Sequence, residues 1–310
     1  MKIIITGGAG FIGSNLAEEL SKEKDNEIII VDDLSTGKTE NLKKFNQNIK
    51  FVRGSITDLD LLKMIFEDVD YVFHQAAIPS VPRSIKDPIA SNNANINGTL
   101  NVLVAAKDSS VKKVICASSS SVYGDTPELP KREDMRANPK SPYAVTKLVG
   151  EYYCKVFNEV YGLKTVSLRY FNVYGPRQDP YSDYAAVIPR FINMVSENKP
   201  PVIYGDGEQT RDFTFVKDVV RANIFAAKSD AKGVYNIAYG NRISINELAN
   251  MIMKLMGKNL KPVHDAPREG DVMHSLGDIS RAKKGLGYEP RYSLEEGLRG
   301  TIEWVSGLAV

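Results

Sequence analysis

A short apolar run, Ile3-Ile4-Ile5, leads directly into the glycine-rich segment Gly7-Gly8-Ala9-Gly10-Phe11-Ile12-Gly13, which opens a helical pattern. A strand that turns through closely spaced glycines into a helix brings backbone N–H groups and the positive end of the helix dipole to one place, where a pyrophosphate can bind. Asp32 ends the next apolar run, nineteen residues after Gly13. A carboxylate at that point accepts hydrogen bonds from ribose hydroxyls and repels a 2′-phosphate, so the sequence predicts a dinucleotide site that prefers NAD to NADP.

The alternation of strand and helix continues along the first half of the chain. Short apolar runs recur at residues 28–31, 51–52, 71–73, 114–116 and 165–168. Helical patterns between them begin after Gly10, after Asp58, near Ser84 (continuing to Lys107) and near Ser141 (continuing to Tyr161). Strands that alternate with helices form a parallel sheet covered on both faces. The predicted fold class is therefore α/β, a doubly wound parallel sheet of the Rossmann type.

The sequence changes in character after Tyr170, where loops rich in Gly, Pro and Asp alternate with short helical patterns. We therefore predict an NAD-binding domain over residues 1–170, rejoined by about 213–240. The remaining segments, 171–212 and 241–310, are predicted to form a smaller, discontinuous α/β lobe that binds the substrate. Within that lobe, helices are predicted over 184–196, 244–256 and 293–305, and Asp206-Gly207 is predicted to form a hairpin turn.

The charge balance limits the class of ligand. The 310 residues include 40 Lys and Arg against 38 Asp and Glu, a formal charge of +2. So small a net charge gives no field that would gather nucleic acid or an anionic membrane, and no apolar run reaches the length that spans a bilayer. We expect a small-molecule ligand, no nucleic-acid or membrane partner, and a cytoplasmic location.

The residue types that commonly ligate metals are few and widely spaced. Cys116 and Cys154 have no partner at metal-ligand spacing, and neither do His74, His264 and His274. We interpret both cysteines as buried free thiols, and His74, at the end of a predicted strand, as a hydrogen-bonded core residue rather than a base. No metal is predicted.

Tyr143 and Lys147 lie one helical turn apart, so their side chains share a helix face. A phenol loses its proton near pH ~10, and it becomes a useful base at neutral pH only if positive charge stabilises the phenolate. A pKa brought down to about 7 represents roughly 4 kcal/mol, which we assign jointly to the Lys147 ammonium and an oxidised nicotinamide. A Tyr and a Lys four residues apart are also common on solvated helices, so this interpretation depends on the neighbouring motifs.

A run of serines follows the fifth predicted strand, at the edge where open α/β sheets bind ligands. It contains Ser119 and Ser120, whose hydroxyls can hold a reacting sugar hydroxyl. The alternative is a polar turn that bonds its own backbone. We choose Ser119 as the catalytic partner of Tyr143.

Asn172 follows the sixth predicted strand and can bind a diphosphate or a sugar oxygen. Arg211 and Arg268 are candidate diphosphate ligands, because planar guanidinium groups match phosphate geometry. Taken alone, each of these arginines is more often a solvated surface residue.

These motifs together resemble the extended short-chain dehydrogenase/reductase family over nearly the whole chain. The segments 118–124, 141–147, 169–176 and 185–189 narrow the resemblance to UDP-sugar 4-epimerases, especially those acting on UDP-N-acetylglucosamine and UDP-glucose. The resemblance implies that Tyr143 is the general base, that Lys147 tunes it and binds the nicotinamide ribose, and that Ser119 contacts the 4-hydroxyl of the sugar. It also implies a homodimer that pairs the helices beginning near residues 84 and 141.

The resemblance also implies which residues surround each ligand. Those expected around NAD are Gly7, Gly10, Phe11, Ile12, Gly13, Asp32, Asp33, Ser35, Thr36, Gly37, Ser55, Ile56, Gln75, Ala76, Ala77, Asn95, Tyr143, Lys147 and Tyr170. Those expected around the UDP-sugar are Ser80, Ser119, Ser120, Tyr143, Asn172, Ala186, Val187, Tyr204, Arg211, Arg268, Asp271 and Ser275.

Two positions depart from the pattern of the family. Ser55 stands where relatives usually carry an Asp at the adenine amine, so that contact is weaker here and NAD retention is expected to suffer. Ser275 stands where epimerases restricted to UDP-glucose and UDP-galactose carry a bulky Tyr over C2 of the sugar. A serine leaves room for an N-acetyl group.

The sequence therefore predicts an NAD-dependent isomerase, a 4-epimerase that interconverts UDP-N-acetylglucosamine and UDP-N-acetylgalactosamine through a transient 4-keto sugar, with UDP-glucose and UDP-galactose as further substrates. A UDP-glucuronate 4-epimerase is the first alternative, although such enzymes generally show Thr at the position of Asn172. Nucleotide-sugar 4,6-dehydratases and decarboxylases carry acidic residues where this chain has Ser120-Ser121. A non-catalytic NAD-sensing scaffold is the alternative from another class, and such relatives usually lack the Tyr-Lys pair.

Overall fold

A computed structural model describes residues 1–43, 48–181, 185–267 and 272–307. Within them a seven-stranded parallel sheet carries the order β11-β6-β5-β4-β1-β2-β3. The strands are β1 Lys2–Thr6, β2 Glu27–Asp32, β3 Ile49–Arg53, β4 Tyr71–His74, β5 Lys113–Ser119, β6 Thr165–Tyr170, β7 Val173–Tyr174, β8 Val202–Tyr204, β9 Thr210–Arg211, β10 Thr214–Phe215, β11 Gly233–Ile237, β12 Ile243–Ser244 and β13 Val263–Asp265.

The strand order reverses at β1. The chain moves outward from β1 to β2 and β3, then returns to β4 on the other side of β1 and continues through β5 and β6. In an open parallel sheet, this reversal leaves a crevice at the carboxyl ends of the strands, where ligands bind. The predicted doubly wound sheet is confirmed.

Helices cover both faces of the sheet. Along β1, Ile3 and Ile5 pack into the core beneath α1 and α8, whereas Ile4 packs into the opposite core beneath α2, α5 and α6. The helices are α1 Phe11–Ser21, α2 Leu59–Ile65, α3 Val81–Lys86, α4 Pro88–Asn92, α5 Gly98–Asp108, α6 Pro142–Tyr161, α7 Val187–Ser196, α8 Val216–Lys228, α9 Ile245–Leu255, α10 Ser280–Leu286 and α11 Leu294–Val305.

The prediction of one long helix over residues 84–107 is wrong. Helix α3 ends before Asp87, which has the non-helical angles φ −139° and ψ 83°, and α4 begins at Pro88. Proline has no N–H to donate and disfavours the helical conformation in the residue before it, so the first helix stops there. The Asp87 side chain then caps α4 by accepting a hydrogen bond from the backbone N–H of Ala90. A π-helical turn, Asn93–Asn97, joins α4 to α5.

The second half of the chain builds a smaller core from α7, α9, α11 and short strands. The strand pairs β7 with β10, β8 with β13, and β9 with β12 lie outside the main sheet, whereas β11 joins that sheet beside β6. The hairpin predicted at Asp206-Gly207 is wrong, because β8 and β9 flank this turn but pair with other strands. The helix predicted from residue 184 begins at Val187, and Tyr184 lies outside the described residues. The division into two domains remains a prediction.

Both cysteines are free and buried, as predicted, and their Sγ atoms lie 3.2 Å apart between β5 and α6. Among the described residues, no helix combines the length and apolarity that crossing a bilayer requires. The cytoplasmic location remains a prediction.

Candidate functional site

A cavity of about 880 Å³ opens at the carboxyl edge of the sheet, beside the point where the strand order reverses. Every residue predicted to surround NAD lines it except Asn95. The lining residues from that set are Gly7, Gly10, Phe11, Ile12, Gly13, Asp32, Asp33, Ser35, Thr36, Gly37, Ser55, Ile56, Gln75, Ala76, Ala77, Tyr143, Lys147 and Tyr170. Their individual roles remain predictions.

The glycine loop brings the start of α1 against the end of β1. A Cβ atom on Gly13 would overlap the carbonyl oxygen of Gly7, so the close approach of helix and strand requires glycine there. Gly7 itself has φ +69°, a left-handed conformation that favours glycine. No side chain caps α1 at Gly10. Its first N–H groups therefore suit a pyrophosphate, and the loop fits a dinucleotide.

Asp32 lies at the end of β2 with its carboxylate against the glycine loop. Its Oδ2 accepts a hydrogen bond from the backbone N–H of Ala9 at 2.9 Å, and its Oδ1 accepts one from Leu34 at 2.9 Å. Burial raises the pKa of Asp32, and these two hydrogen bonds oppose that rise. A carboxylate oxygen carries two lone pairs, so Asp32 can accept further hydrogen bonds from ribose hydroxyls while holding the loop.

Two predicted cofactor residues need comment. Asn95 is buried and does not line the cavity. Its Oδ1 accepts a hydrogen bond from the backbone N–H of Ile78, and its Nδ2 donates to the carbonyl oxygen of Ile78 and to the hydroxyl of Thr146. It therefore shapes the loop at the cavity wall from behind. Ser55 does line the cavity, and its hydroxyl hydrogen-bonds to that of Thr57 at 2.9 Å.

The three predicted catalytic side chains converge where β5 ends and α6 begins. The Ser119 hydroxyl lies close enough to the phenol of Tyr143 to lower its pKa. The Lys147 Nζ lies 5.8 Å from the centre of the Tyr143 ring and donates a hydrogen bond to the carbonyl oxygen of Ala117 at 2.8 Å. Ser119 does not line this cavity, and its Oγ accepts a hydrogen bond from the backbone N–H of Ser121. The polar turn considered as the alternative is therefore present, and the role of Ser119 as the catalytic partner of Tyr143 remains a prediction.

The electrostatics of this group differ from the expectation of a lowered phenol pKa. Desolvation raises the pKa of Tyr143 to about 12, and the nearby Ser119 hydroxyl opposes that rise. Desolvation also lowers the pKa of Lys147 to about 8. The chain's own residues therefore leave the phenol protonated at neutral pH. The decrease inferred from the sequence requires the positive charge that we assigned to an oxidised nicotinamide.

His74 is the hydrogen-bonded core residue that the sequence predicts. Its Nδ1 and Nε2 lie 2.8 and 2.9 Å from the hydroxyls of Thr6 and Thr99. Burial, and then the positive charge of Lys147, lower the pKa of His74 to about 3. The ring is therefore neutral and is bonded at both nitrogens.

A second cavity of about 430 Å³ adjoins the first, and the two share Ser80, Ala185 and Ala186 in their walls. Residues 172, 187, 204 and 211, all predicted around the sugar nucleotide, line the second cavity as well. Ser275 and Ser120 line neither cavity, although the Ser275 hydroxyl accepts a hydrogen bond from Asn172 Nδ2 at 3.3 Å. Arg268 and Asp271 lie outside the described residues.

Sequence reasoning missed several polar residues in these walls. Lys38 and Asp179 form an ion pair of 2.9 Å at the wall of the larger cavity, and Arg83 lines the same cavity. Arg190 lines the second cavity and stacks over the ring of Tyr204, 4.8 Å from its centre. No local motif marks these positions, because their neighbours come from distant segments.

Comparison with known proteins agrees with this geometry. The family described as "NAD dependent epimerase/dehydratase family" matches residues 3–238. A UDP-N-acetylglucosamine 4-epimerase from Methanobrevibacter ruminantium M1, solved with UDP-N-acetylmuramic acid, is 45% identical, with a TM-score of 0.95 over 99% of this chain and 98% of that chain. A UDP-glucose 4-epimerase from Thermotoga maritima, solved with UDP-glucose, is 41% identical, with a TM-score of 0.95 over 99% of both chains. A UDP-glucuronate 4-epimerase from Thermodesulfobacterium geofontis is 40% identical over 97% of this chain and 95% of that protein.

Substitutions at two glycines should separate folding from dinucleotide binding. Gly13→Ala places a methyl group against Gly7, so we expect the free energy of unfolding to fall by about 1–3 kcal/mol, together with NAD affinity. Gly10→Ala meets only the Gly7 oxygen, at 3.2 Å, so it should fold normally and weaken NAD binding alone. Urea unfolding and NAD titration test both variants. Wild-type stability in Gly13→Ala would contradict the packing argument.

Proposed function

The chain belongs to the NAD-dependent epimerase/dehydratase family, and from that premise we propose that it is a 4-epimerase of UDP-N-acetylglucosamine and UDP-N-acetylgalactosamine. UDP-glucose and UDP-galactose are further substrates in this proposal. The observation that carries it is the position of Tyr143 and Lys147 in the wall of a dinucleotide cavity that shares a wall with a second cavity. The relative from Methanobrevibacter ruminantium supports the choice of amino sugar.

In the proposed reaction, Tyr143 takes the proton from the 4-hydroxyl of the sugar. In this proposal the Ser119 hydroxyl contacts the 4-hydroxyl, and Lys147, whose Nζ lies 5.8 Å from the centre of the Tyr143 ring, stabilises the phenolate. When bound, NAD would supply a hydride acceptor for C4 and a hydride donor to the opposite face of the 4-keto sugar, so the net redox change would be zero. The sugar must turn over between the two halves of the reaction.

That rotation demands firm binding of the nucleotide and loose binding of the hexose. The second cavity provides Arg211, Arg190 and the ring of Tyr204 for a charged, aromatic nucleotide. The wall shared by the two cavities offers the small side chains of Ala185 and Ala186. Small apolar groups hold a hexose with few hydrogen bonds, which leaves it free to turn.

The distribution of acidic side chains favours epimerisation over elimination. Among the described residues that line the two cavities, the carboxylates are Asp32, Asp33 and Asp179. Asp32 and Asp33 follow β2, and Asp179 pairs with Lys38 beside them, so all three belong to the predicted adenosine side. A dehydratase needs an additional acid near Tyr143. A UDP-glucuronate epimerase remains the closest rival, and a non-catalytic scaffold would show no turnover.

We also propose a homodimer. Exposed apolar side chains lie on α3, α4 and α6, where a soluble monomer would expose polar ones. Ile85 is 64% and Ile89 81% exposed, and α3 is fastened to α6 by a hydrogen bond from the Tyr143 backbone N–H to the Ser84 hydroxyl. We call this set the helical patch; it consists of Ile85, Ile89, Val145, Tyr152 and Val156.

Tyr143→Phe should bind NAD and UDP-sugar normally but lose at least about 10²-fold in turnover, the usual contribution of a positioned acid or base. Tyr161→Phe, at the exposed end of the same helix, is the matched control. Proton NMR of incubations with UDP-N-acetylglucosamine, UDP-glucose and UDP-glucuronate distinguishes axial from equatorial 4-hydroxyls. Near-normal turnover in Tyr143→Phe rules out the assigned base. If the wild-type protein converts UDP-glucuronate but neither of the other two substrates, the assigned substrate is wrong.

Ser275→Tyr should reduce turnover of UDP-N-acetylglucosamine much more than that of UDP-glucose. The tyrosine ring would fill space beside Asn172 that an N-acetyl group needs. Ser275→Ala removes the hydroxyl without adding volume and should preserve the ratio between the two substrates. The readout is kcat/KM for each substrate. Equal losses for both substrates in Ser275→Tyr would discard the idea of a gate at this position.

Ile89→Lys should convert a dimer into a monomer, because it buries a charge at the centre of the helical patch. Met64→Lys is the matched control, since Met64 is also exposed (68%) but lies on α2. Analytical ultracentrifugation measures both. A monomeric wild-type protein, or a dimer that persists in Ile89→Lys, would contradict the proposed interface.

A further inference from the structure

One buried carboxylate, that of Asp212, joins two loops beside the second cavity. Asp212 has no exposed surface. Its Oδ1 accepts a hydrogen bond from the backbone N–H of Tyr239 at 2.9 Å, and its Oδ2 accepts hydrogen bonds from Gly240 and Gly277, each at 3.1 Å. In the described part of the chain, the partners of this charge are thus backbone donors, brought from two loops.

Further hydrogen bonds join Asp212 and the residue before it to other segments of the chain. Asn172 Nδ2 donates hydrogen bonds to the carbonyl oxygen of Asp212 at 3.0 Å and to the Ser275 hydroxyl at 3.3 Å. The preceding residue, Arg211, donates from Nη1 to the carbonyl oxygen of Met273 at 3.2 Å. Three residues expected to contact the sugar nucleotide therefore meet around one aspartate that itself lines neither cavity.

The loops have little freedom to rearrange around this carboxylate. Asn172 has φ +32° and Gly240 has φ +81°, both in the left-handed region. A Cβ atom on Gly277 would lie 2.7 Å from the Cβ of Ala238. The three N–H donors around Asp212 are therefore held close together.

The charge on Asp212 matters because an ionised carboxylate only accepts hydrogen bonds. Burial raises its pKa to about 6, while the three backbone hydrogen bonds oppose that rise, so the group is ionised at neutral pH. An amide in the same place would present N–H groups toward backbone N–H groups. At least one buried donor would then lose its acceptor.

We propose that Asp212 is a positioning residue of the sugar-nucleotide site, which holds Arg211, Asn172 and Ser275 in one arrangement by collecting the N–H groups of the two loops. The identity of the ligand rests on the proposed function. The positioning role predicts a defect confined to the nucleotide side of the site, whereas a general stabilising role predicts a defect shared by both ligands.

The test is Asp212→Asn in the full-length protein. We expect about tenfold weaker binding of UDP and about tenfold higher KM for UDP-N-acetylglucosamine, the effect of one unsatisfied buried donor. The Kd for NAD and kcat should stay close to wild type. Calorimetric titration with UDP and with NAD separates the two ligands without requiring turnover.

Asp218→Asn is the matched control. Asp218 is also buried and accepts hydrogen bonds from the backbone N–H groups of Arg291 and Tyr292 and from Arg221, but it lines neither cavity and does not bond the loops at Tyr239 and Gly277. This variant should lose stability and keep its affinity for UDP. Equal losses of UDP affinity in the two variants, or parallel losses of UDP and NAD affinity in Asp212→Asn, would overturn the proposal.

Gly240→Ala gives a second route that keeps the carboxylate. Its strained φ would displace one donor from Asp212, so UDP affinity should fall while NAD affinity holds. Wild-type UDP affinity in a folded Gly240→Ala protein would overturn the positioning role of Asp212 but not the proposed function. A wild-type protein that binds no UDP would overturn the proposed function as well.

Discussion

The buried ion pair between Glu151 and Arg169 fixes helix α6 against the edge of the sheet. The two carboxylate oxygens accept hydrogen bonds from Nε and Nη2 of Arg169 at 2.8 and 2.7 Å, and the hydroxyl of Ser118 donates to the same carboxylate. Both charged side chains are about 5% exposed, so removing either would leave an uncompensated buried charge. Glu151 follows Lys147 by one helical turn, and Ser118 precedes Ser119. The pair therefore determines where the phenol, the ammonium and the hydroxyl meet.

The same burial makes the proposed base dependent on its cofactor. Desolvation raises the pKa of Tyr143 to about 12 and lowers that of Lys147 to about 8, so the protein alone disfavours the charged form of each. A nicotinamide is positive when oxidised and neutral when reduced. The positive charge of the oxidised ring would favour the phenolate before hydride leaves C4, and the loss of that charge on reduction would favour the neutral phenol afterwards. Proton transfer from the 4-hydroxyl to Tyr143 and hydride transfer from C4 would then favour one another.

The residues that the sequence predicts around NAD meet at one cavity, and their sequence signals are local. The glycine loop, Asp32 and the Tyr143–Lys147 pair each act within one strand, turn or helix, and all of them line the cavity. The substrate half is less accessible, because its contacts join distant segments: Asp212 bonds Gly277, 65 residues away. The shift in the pKa of Tyr143 was also missed, since desolvation is a property of the assembled fold. The prediction of one helix over residues 84–107 is wrong because it follows the helical periodicity of the apolar residues through Pro88, where the structure has a break.

The two halves of the site use different forces, and the difference suits the proposed reaction. Helices pack on both faces of the sheet through apolar cores, and these cores hold the strands and helices that form the dinucleotide cavity. Beside the second cavity, backbone N–H groups bond to a carboxylate, so the positions of the loops depend on directional hydrogen bonds. Directional bonds hold Arg211 and Asn172, whereas Ala185 and Ala186 in the shared wall offer a hexose apolar contacts. A site that must hold a nucleotide and release a sugar ring to turn requires that separation.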